Sequence, residues 1–432
     1  MSKLSSSTLR RRLALLLCVV SAFFLIAGNL PRMIPAIGGA INGGEVAWLL
    51  CICTLGLAFL GSALSVRALV AAVGACILSF VVGLSKFGFS GEAFAYNIRL
   101  CGHLVGGVVL ARSLWHLYRD NYRALVKAIV VTYTVLALAS FVLFAIFPDT
   151  SQLWKVMQDS GVDFQGDPHN GRLISPYFDP NFYSCIIVLP ILLAWYTTSY
   201  WKAGWVCMAI LVVSLLMTVS RSGMALLVLV LIAISLANAR RIIRKKFSYG
   251  AAAAALFAIA GITVSGLVLS PFVERAASRF TGVKEDRSAL SRVKSFEIGN
   301  LLIADQPILG FGYNYVNEPA RKMRGGKVGL DSSIQVFFAS FGLPGSIVLI
   351  GVVCSWLWNV DRRLSSDRVF LYRGTVIYSV ITVVFAGNFN QILFYPFWLV
   401  PVLAFLAYFH FLAYGGGRGM DGSGYSPISQ TS

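Results

Sequence analysis

Apolar runs long enough to cross a lipid bilayer recur along almost the whole chain, and they constrain its fold more than any other feature. A hydrocarbon core of about 30 Å needs around 20 mostly apolar residues per helix. The alternation of apolar and polar residues that marks barrel strands is absent. The sequence therefore predicts an all-α polytopic membrane protein of about twelve transmembrane helices. The runs are 13–30, 46–64, 68–85, 93–111, 128–147, 182–200, 203–220, 223–238, 250–269, 334–358, 374–388 and 395–413.

The composition agrees with a membrane protein and argues against a nucleic-acid partner. Charged residues make up 12% of the 432 residues, whereas soluble domains carry about 25%. The formal net charge is +18, but most of the basic excess falls in predicted inward-facing segments, as the positive-inside rule expects. The eight cysteines all lie within predicted spans. They are therefore interpreted as packing residues rather than a disulfide framework or a zinc site.

The charge pattern also predicts the topology. Arg10, Arg11 and Arg12 precede the first span, and such a positive flank holds the N-terminus in the cytoplasm. Twelve crossings then put both termini in the cytoplasm. Residues 1–414 form a single transmembrane domain in this interpretation, and the Gly/Ser-rich segment 415–432 is predicted to be a disordered cytoplasmic tail.

Two long outer loops, 148–181 and 270–333, are predicted to form the mouth of the bundle. The first is rich in Pro, Gly, Asp and Asn, which break regular structure. The second is predicted to hold an amphipathic helix across the outer mouth, ending at about Asp305. The residues behind this prediction are the apolar Leu290, Val293, Phe296 and Leu301 and the helix-ending Pro307.

Arginines from three separate segments fall on the outer side in this topology. Arg221 lies in a tight turn between the seventh and eighth spans, Arg172 in the first outer loop, and Arg287 and Arg292 at the start of the loop helix. The planar guanidinium suits bidentate contact with phosphate oxygens, so their convergence predicts a site for a lipid-linked diphosphate. The alternative is that Arg221 reaches to lipid phosphates and the loop arginines are solvated surface charges.

Three runs resemble the bacterial O-antigen ligase and polymerase family. They are TVSRSG (218–223), GRLISPYFDPNFYS (171–184) and SRVKSFEIGNLLIADQPILGFGYN (291–314). The last run is similar to that family's pattern of a basic residue, a helix and Pro-x-x-Gly-x-Gly. The resemblance covers roughly residues 165–350. It implies a multi-span glycosyltransferase of the bacterial inner membrane that uses undecaprenyl-diphosphate-linked glycans on the periplasmic side.

The resemblance also implies roles for individual residues. Arg221 matches the arginine of the family's Ser-Arg-Ser-Gly turn, which is expected to bind the donor diphosphate, and Arg292 matches the basic residue that opens the loop helix. Ligases of the family carry a histidine before the late span, where this sequence has Asp331 and Ser332. That difference favours a polymerase over a ligase.

The residues themselves suggest how such a transfer proceeds. A diphosphate leaving group needs its developing charge neutralised, which preorganised arginines supply. The sequence contains no Asp-x-Asp pair and no His/Cys cluster, so we expect no metal and no cofactor. Asp331 and Asp179 are candidate general bases, although Asp179 in Asp-Pro-Asn also fits a helix start. Arg99 and His103 share one helix face, and either substrate contact or an interhelical salt bridge accounts for them.

Two further runs predict local structure rather than chemistry. GFGYN (310–314) has no preceding strand and no following Lys-Ser/Thr, so it is interpreted as a sharp turn and not as a nucleotide loop. Gly342, Pro344 and Gly345 predict a kink or a close helix contact in the tenth span.

The favoured function is polymerisation of undecaprenyl-diphosphate-linked repeat units of O-antigen or exopolysaccharide at the periplasmic face. Membrane lipid, a chain-length regulator and a flippase are the other expected partners. One alternative is an O-antigen ligase that transfers glycan to lipid A core or another acceptor. Another is a polysaccharide transporter or flippase, although transporters tend to have paired halves and charges near the bilayer midplane, whereas this chain is asymmetric.

Overall fold

A computed structural model describes residues 6–33, 43–64, 66–159, 169–244, 287–324 and 329–415. Within these ranges the regular structure is helical, and no β-strand is present. Numbered in chain order, the helices are α1 (Ser6–Ala27), α2 (Gly43–Leu64), α3 (Arg67–Phe87), α4 (Gly91–Tyr118), α5 (Tyr122–Ile146), α6 (Thr150–Asp159), α7 (Pro180–Thr197), α8 (Ala203–Met217), α9 (Arg221–Arg244), α10 (Arg287–Asp305), α11 (Asn317–Arg324), α12 (Ser333–Arg363), α13 (Ser366–Val384) and α14 (Pro396–Tyr414).

Eight helices of the described part are long and apolar enough to cross a membrane. α8 and α9 add two shorter apolar helices. α1 is not among the eight, because Arg10, Arg11 and Arg12 occupy its first turns and shorten its uncharged stretch. The predicted span 250–269 and the predicted tail, apart from Gly415, lie outside the described residues. An all-α polytopic architecture is therefore supported, whereas a count of twelve spans is not confirmed.

α7 is covered on nearly all of its sides by the rest of the bundle. It carries no charged residue from Pro180 to Thr197, and 78% of its membrane window is buried. A helix that is hydrophobic all round is stable where other helices cover every face, and α5, α8 and α9 pack against it. Just before its first turn, Tyr177 stacks on Phe397 with ring centroids 4.7 Å apart. The beginnings of α7 and α14 therefore lie side by side.

Polar side chains collect at one end of the bundle, which we call the polar end. There α1 and α8 finish and α7 and α9 begin. The Tyr177 hydroxyl donates to the Leu25 carbonyl oxygen at 2.9 Å, and Arg172 Nε donates to the Thr218 carbonyl oxygen at 2.8 Å. Segments far apart in the sequence consequently present their polar groups to one region.

α12 is broken at Gly342, whose φ of +69° lies outside the helical region. The turn before α11 fills this break: the Leu343 N–H donates to the Pro307 carbonyl oxygen, and the Phe311 N–H to that of Ala339, both at 2.7 Å. A Cβ at position 342 would lie 2.1 Å from a backbone oxygen of the turn, so this approach requires glycine. The predicted kink and the predicted sharp turn are both confirmed, and they are two sides of one contact.

The first outer loop contains a helix, α6, where loss of regular structure was expected; that expectation is wrong. Leu153, Trp154 and Met157 form the buried face of α6. They pack against Ile174 and Phe178 from the later part of the same loop. Apolar residues at helical spacing and a local partner for them outweigh the turn-forming residues on either side.

α10 confirms the helix predicted in the second outer loop, and it ends at Asp305 as expected. Three of the four apolar residues on which the prediction of this helix rests are exposed. These residues are Val293, Phe296 and Leu301. Another face packs against α12: a Cβ on Gly299 would lie 2.4 Å from the Gln335 side chain. A glycine at this position therefore lets the two helices approach closely.

Candidate functional site

Arg172 is the most deeply buried of the predicted arginines that the structure describes, with 4% of its surface exposed. Its Nε donates to the Thr218 carbonyl oxygen at 2.8 Å, and its Nη2 donates to Asn181 Oδ1 at 2.9 Å. Its Nη1 lies 3.3 Å from His169 Nδ1. The guanidinium thus joins the first outer loop to the end of α8 and the beginning of α7.

The turn between α8 and α9 is shaped by the same contacts. Val219 adopts a φ of +50°, and Ser220 Oγ donates to Asn181 Oδ1 at 3.3 Å, the atom that also accepts a bond from Arg172. Arg221 is the first residue of α9 and is half-buried. The N-terminus of a helix carries a positive partial charge. Arg221 therefore lies at the polar end, next to a helix terminus that itself favours anions.

Asp179 caps the beginning of α7. Its Oδ1 accepts hydrogen bonds from the backbone N–H groups of Asn181 at 2.6 Å and Phe182 at 3.1 Å. Burial raises the pKa of this carboxyl group, while those two bonds and the nearby charges of Arg172 and Arg292 act in the opposite direction and do not outweigh it. Arg172 and Arg292 therefore both lie in the neighbourhood of this carboxyl group.

Asp331 connects the segment before α12 to α10. Its N–H donates to Ser295 Oγ at 2.9 Å, and its side chain is partly buried. Arg292 precedes Ser295 by nearly one helical turn on α10, so the Asp331 backbone lies close to the helix that carries Arg292. Arg287 begins α10, and its side chain is outside the described part of the chain.

The structure thus brings Arg172, Arg221 and Arg292 to the polar end, and we call these three residues the arginine cluster. Arg172 bonds the residue three positions before Arg221, and Arg172 and Arg292 both act on Asp179. Guanidinium groups lie here near the N-termini of α7 and α9, an arrangement that can hold phosphate oxygens. Their role in binding a diphosphate remains a prediction.

Arg99 lies elsewhere at the polar end and is paired with a carboxylate. Its Nη2 donates to Glu45 Oε2 at 2.8 Å, and its Nε donates to Glu45 Oε1. His103 Nε2 lies 2.8 Å from the same Oε1 atom. Glu45 and His103 are almost fully buried, whereas the Arg99 side chain remains 33% exposed. The interhelical salt bridge is therefore present, and Arg99 keeps an accessible edge as well.

The exposed edge of the Arg99 side chain faces a cavity of about 310 Å³. The cavity wall combines aromatic rings, amide side chains and charged groups. Its aromatic members include Tyr96, Phe182 and Tyr313, and its amides are Asn314, Asn317 and Gln391. Of the predicted site residues that the structure describes, Arg99 lines this cavity, whereas the arginine cluster, Asp179 and Asp331 do not.

The GFGYN turn forms part of the cavity wall. The Tyr313 N–H donates to Ser79 Oγ at 2.7 Å, and Asn314 has a φ of +66°. The Asn314 Oδ1 atom accepts a bond from Asn317 Nδ2 at 2.6 Å. The turn that fills the break in α12 therefore also presents Tyr313 and Asn314 to the cavity.

Among the residues that the structure describes, no group of three His, Cys, Asp or Glu side chains is arranged to hold a metal ion. The nearest combination at the polar end is Glu45 with His103, and Arg99 occupies the remaining position beside that carboxylate. Glu45 instead accepts two hydrogen bonds from Arg99 and lies 2.8 Å from His103 Nε2.

Sequence reasoning missed several residues of the polar end. Asn181 and Ser220 lie in the runs 171–184 and 218–223 that carry the family resemblance. Nothing in the spacing of these residues indicated that Arg172 and Ser220 would share the Asn181 side-chain oxygen. Glu45 had a usable signal, since an isolated carboxylate at the start of an apolar span requires a partner. His169 has no pattern in the sequence that would have distinguished it.

The comparisons with known proteins concern the second half of the chain. Residues 206–350 match the family model described as O-antigen ligase. The matched part runs from α8 to the middle of α12 and includes Arg221, Arg292 and Asp331. No curated protein and no solved structure matches the chain.

Proposed function

We propose that this chain, a membrane protein of the O-antigen ligase and polymerase family by its match over residues 206–350, polymerises lipid-linked glycan repeats. The donor is a glycan on undecaprenyl diphosphate, and the acceptor is a second carrier-linked glycan at the periplasmic face. The observation that carries the proposal is the arginine cluster, in which Arg172 orders the turn that begins with Thr218 and leads to Arg221.

The reaction requires a group that stabilises a leaving diphosphate. An acceptor hydroxyl oxygen attacks the anomeric carbon of the donor sugar, the bond from that carbon to the diphosphate oxygen breaks, and both bonding electrons leave with the diphosphate. Guanidinium groups at fixed positions bind the developing charge without reorganising. Their planar donors match several phosphate oxygens at once.

The hydroxyl proton must pass to a base, and Asp331 is the better candidate. The Asp179 Oδ1 atom already accepts two backbone hydrogen bonds as the cap of α7, which gives this residue a structural role. Asp331 stands where ligases of the family carry a histidine, and its N–H donates to Ser295 Oγ. Its carboxylate stands in the segment that joins α10 and α12, beside the helix of Arg292.

Ligation of glycan to lipid A core or another acceptor is the second candidate function. It is favoured by the description of the matching family model. Against it stand Asp331 and Ser332 at the place where ligases of the family carry a histidine. A change of acceptor leaves the donor chemistry at the arginine cluster the same.

The test is made in cells that lack the chromosomal copy. Arg221→Ala and Arg292→Ala should each abolish long glycan chains while membrane protein levels stay normal, because one missing guanidinium leaves diphosphate charge unbalanced. Arg362→Ala is the matched control, since Arg362 is exposed and stacks on Trp358 at the opposite end of α12. Full-length polymer from both cluster variants would refute the assignment.

The same cells separate the two functions. Loss of a polymerase leaves single repeats on the carrier, whereas loss of a ligase leaves long chains on the carrier. Gel analysis of the extracted carrier-linked glycan distinguishes these products. A third outcome, in which reconstituted protein moves carrier-linked repeats across a liposome without elongating them, would indicate a transporter.

A further inference from the structure

We propose that the cavity beside Arg99 binds an uncharged sugar of the carrier-linked glycan, while the arginine cluster binds its diphosphate. This inference rests on the proposed function, because it divides one substrate between two neighbouring regions of the polar end. It assigns Tyr96, Asn314 and Arg99 to sugar recognition.

The size and wall of the cavity suit a sugar. Its volume of about 310 Å³ lies at the lower end of the roughly 300–1,000 Å³ of small-molecule pockets. Sugar rings have an apolar face that packs on aromatic rings and hydroxyl groups that need both donors and acceptors. Tyr96 and Tyr313 supply rings, and Asn314 and Gln391 supply amides that donate and accept.

Charge balance argues against a diphosphate in the cavity. Two arginines line it, and each is paired with its own carboxylate: Arg99 with Glu45, and Arg321 with Glu92 at 3.1 Å. These pairs leave no excess positive charge to neutralise phosphate oxygens. Paired guanidinium groups still donate hydrogen bonds to neutral hydroxyls. The cavity is therefore built for an uncharged polar ligand.

Arg99 is held in place before any ligand arrives. Its two hydrogen bonds to Glu45 use Nε and Nη2, and neither uses Nη1. The ring of Tyr96 lies 5.3 Å from the guanidinium carbon, which fixes the side chain further. A donor held by buried Glu45 loses little conformational freedom when it binds a hydroxyl.

The cavity and the arginine cluster are close enough to share one substrate. Phe182 lines the cavity, and the preceding residue, Asn181, accepts the bond from Arg172. Consecutive Cα atoms are about 3.8 Å apart. A sugar in the cavity therefore lies within a short reach of a diphosphate bound at the cluster.

The experiment uses the full chain in lipid nanodiscs and two radiolabelled probes, each far less concentrated than the protein so that no second carrier-linked glycan is available for transfer. One is undecaprenyl diphosphate, and the other is the carrier-linked glycan extracted from the membranes of the protein's own host. The ratio of their dissociation constants measures what the sugar contributes. We expect the glycan-bearing probe to bind about tenfold more tightly, and Tyr96→Leu to bring the ratio close to unity without changing the affinity for undecaprenyl diphosphate. Tyr96→Phe should keep the ratio.

Two controls accompany these variants. Tyr414→Leu is a matched substitution at the opposite end of the bundle, where Tyr414 stacks on His410, and it should leave both affinities unchanged. Raising the salt concentration should weaken both probes and leave their ratio constant, because screening acts on the diphosphate and not on an uncharged sugar.

The outcomes separate the two proposals. An unchanged ratio in Tyr96→Leu, or a ratio that falls with salt, would overturn sugar binding in the cavity. Arg221→Ala should weaken both probes by a similar factor. If it leaves undecaprenyl diphosphate binding unaltered, the proposed function fails, whatever the ratio shows.

Discussion

Arg172 Nε donates a 2.8 Å hydrogen bond to the carbonyl oxygen of Thr218, 46 positions later in the chain. The bond fixes the turn that begins α9, and with it the position of Arg221. A buried arginine from the segment before α7 therefore orders a turn that lies within the family match over residues 206–350.

We predict that Arg172→Lys destabilises the protein by about 1.5–3 kcal/mol, the range for a lost hydrogen bond to a charged group. A lysine ammonium cannot reach the carbonyl of Thr218 and the amide of Asn181 with the fork geometry of arginine. Thermal unfolding in detergent measures the change. Arg362→Lys is the control, and an equal effect in both variants would show that Arg172 has no special structural role.

The carboxyl group of Asp179 should make stability depend on pH. Its pKa is raised in the folded protein, so folding favours the protonated form. This contribution is fully present below the unfolded pKa and is lost as the pH rises through the folded pKa. Asp179→Asn keeps a helix cap without a charge. The melting temperature of this variant relative to wild type should therefore increase from about pH 3 to pH 7, near and above the ordinary aspartate pKa.

Loss of the cap itself is tested by Asp179→Ala. This variant leaves the N–H groups of Asn181 and Phe182 without the Asp179 oxygen and should cost about 1 kcal/mol. A melting temperature equal to that of Asp179→Asn at every pH would contradict a capping role.

Glu45→Gln should destabilise the protein by roughly 3 kcal/mol, at the low end of the range for breaking a buried ion pair. The reason for the low end is that Arg99 is one-third exposed and can be partly solvated. The double variant Glu45→Gln with Arg99→Met should recover part of the loss, because it removes the unpaired charge. Chemical denaturation of the wild type, Glu45→Gln and the double variant provides the measurement. A double variant less stable than Glu45→Gln would disprove the pairing argument.

Gly312→Ala should lower stability by about 1–3 kcal/mol, the range for a residue forced into an unfavourable backbone conformation. Gly312 has a φ of +94°, and a Cβ there would lie 2.6 Å from the Ser79 carbonyl oxygen. Gly74→Ala in α3 is the matched control, since a Cβ there meets nothing within 4 Å. The control should gain roughly 0.5–1 kcal/mol from its higher helix propensity. Similar melting temperatures for the two variants would show that the turn tolerates a side chain.

Much of the local structure could be read from residue patterns. The end of α10 at Asp305 followed from Pro307, and the break in α12 followed from Gly342. Which face of α10 is buried could not be read in this way, because Gly299 of α10 meets Gln335 from another helix. The residue pattern along one segment does not indicate which other helix packs against it.

The sequence by itself determined that the chain is a helical membrane protein and that several arginines belong to connecting segments rather than to apolar spans. It can do so because the free energy of transferring an apolar segment from water to lipid is the sum of contributions from consecutive residues. Only the tertiary structure decided that Arg99 pairs with Glu45, that Arg172 and Ser220 share Asn181, and that the GFGYN turn closes a cavity. Those contacts join residues far apart in sequence, and their energies depend on distances and angles that arise when the helices pack.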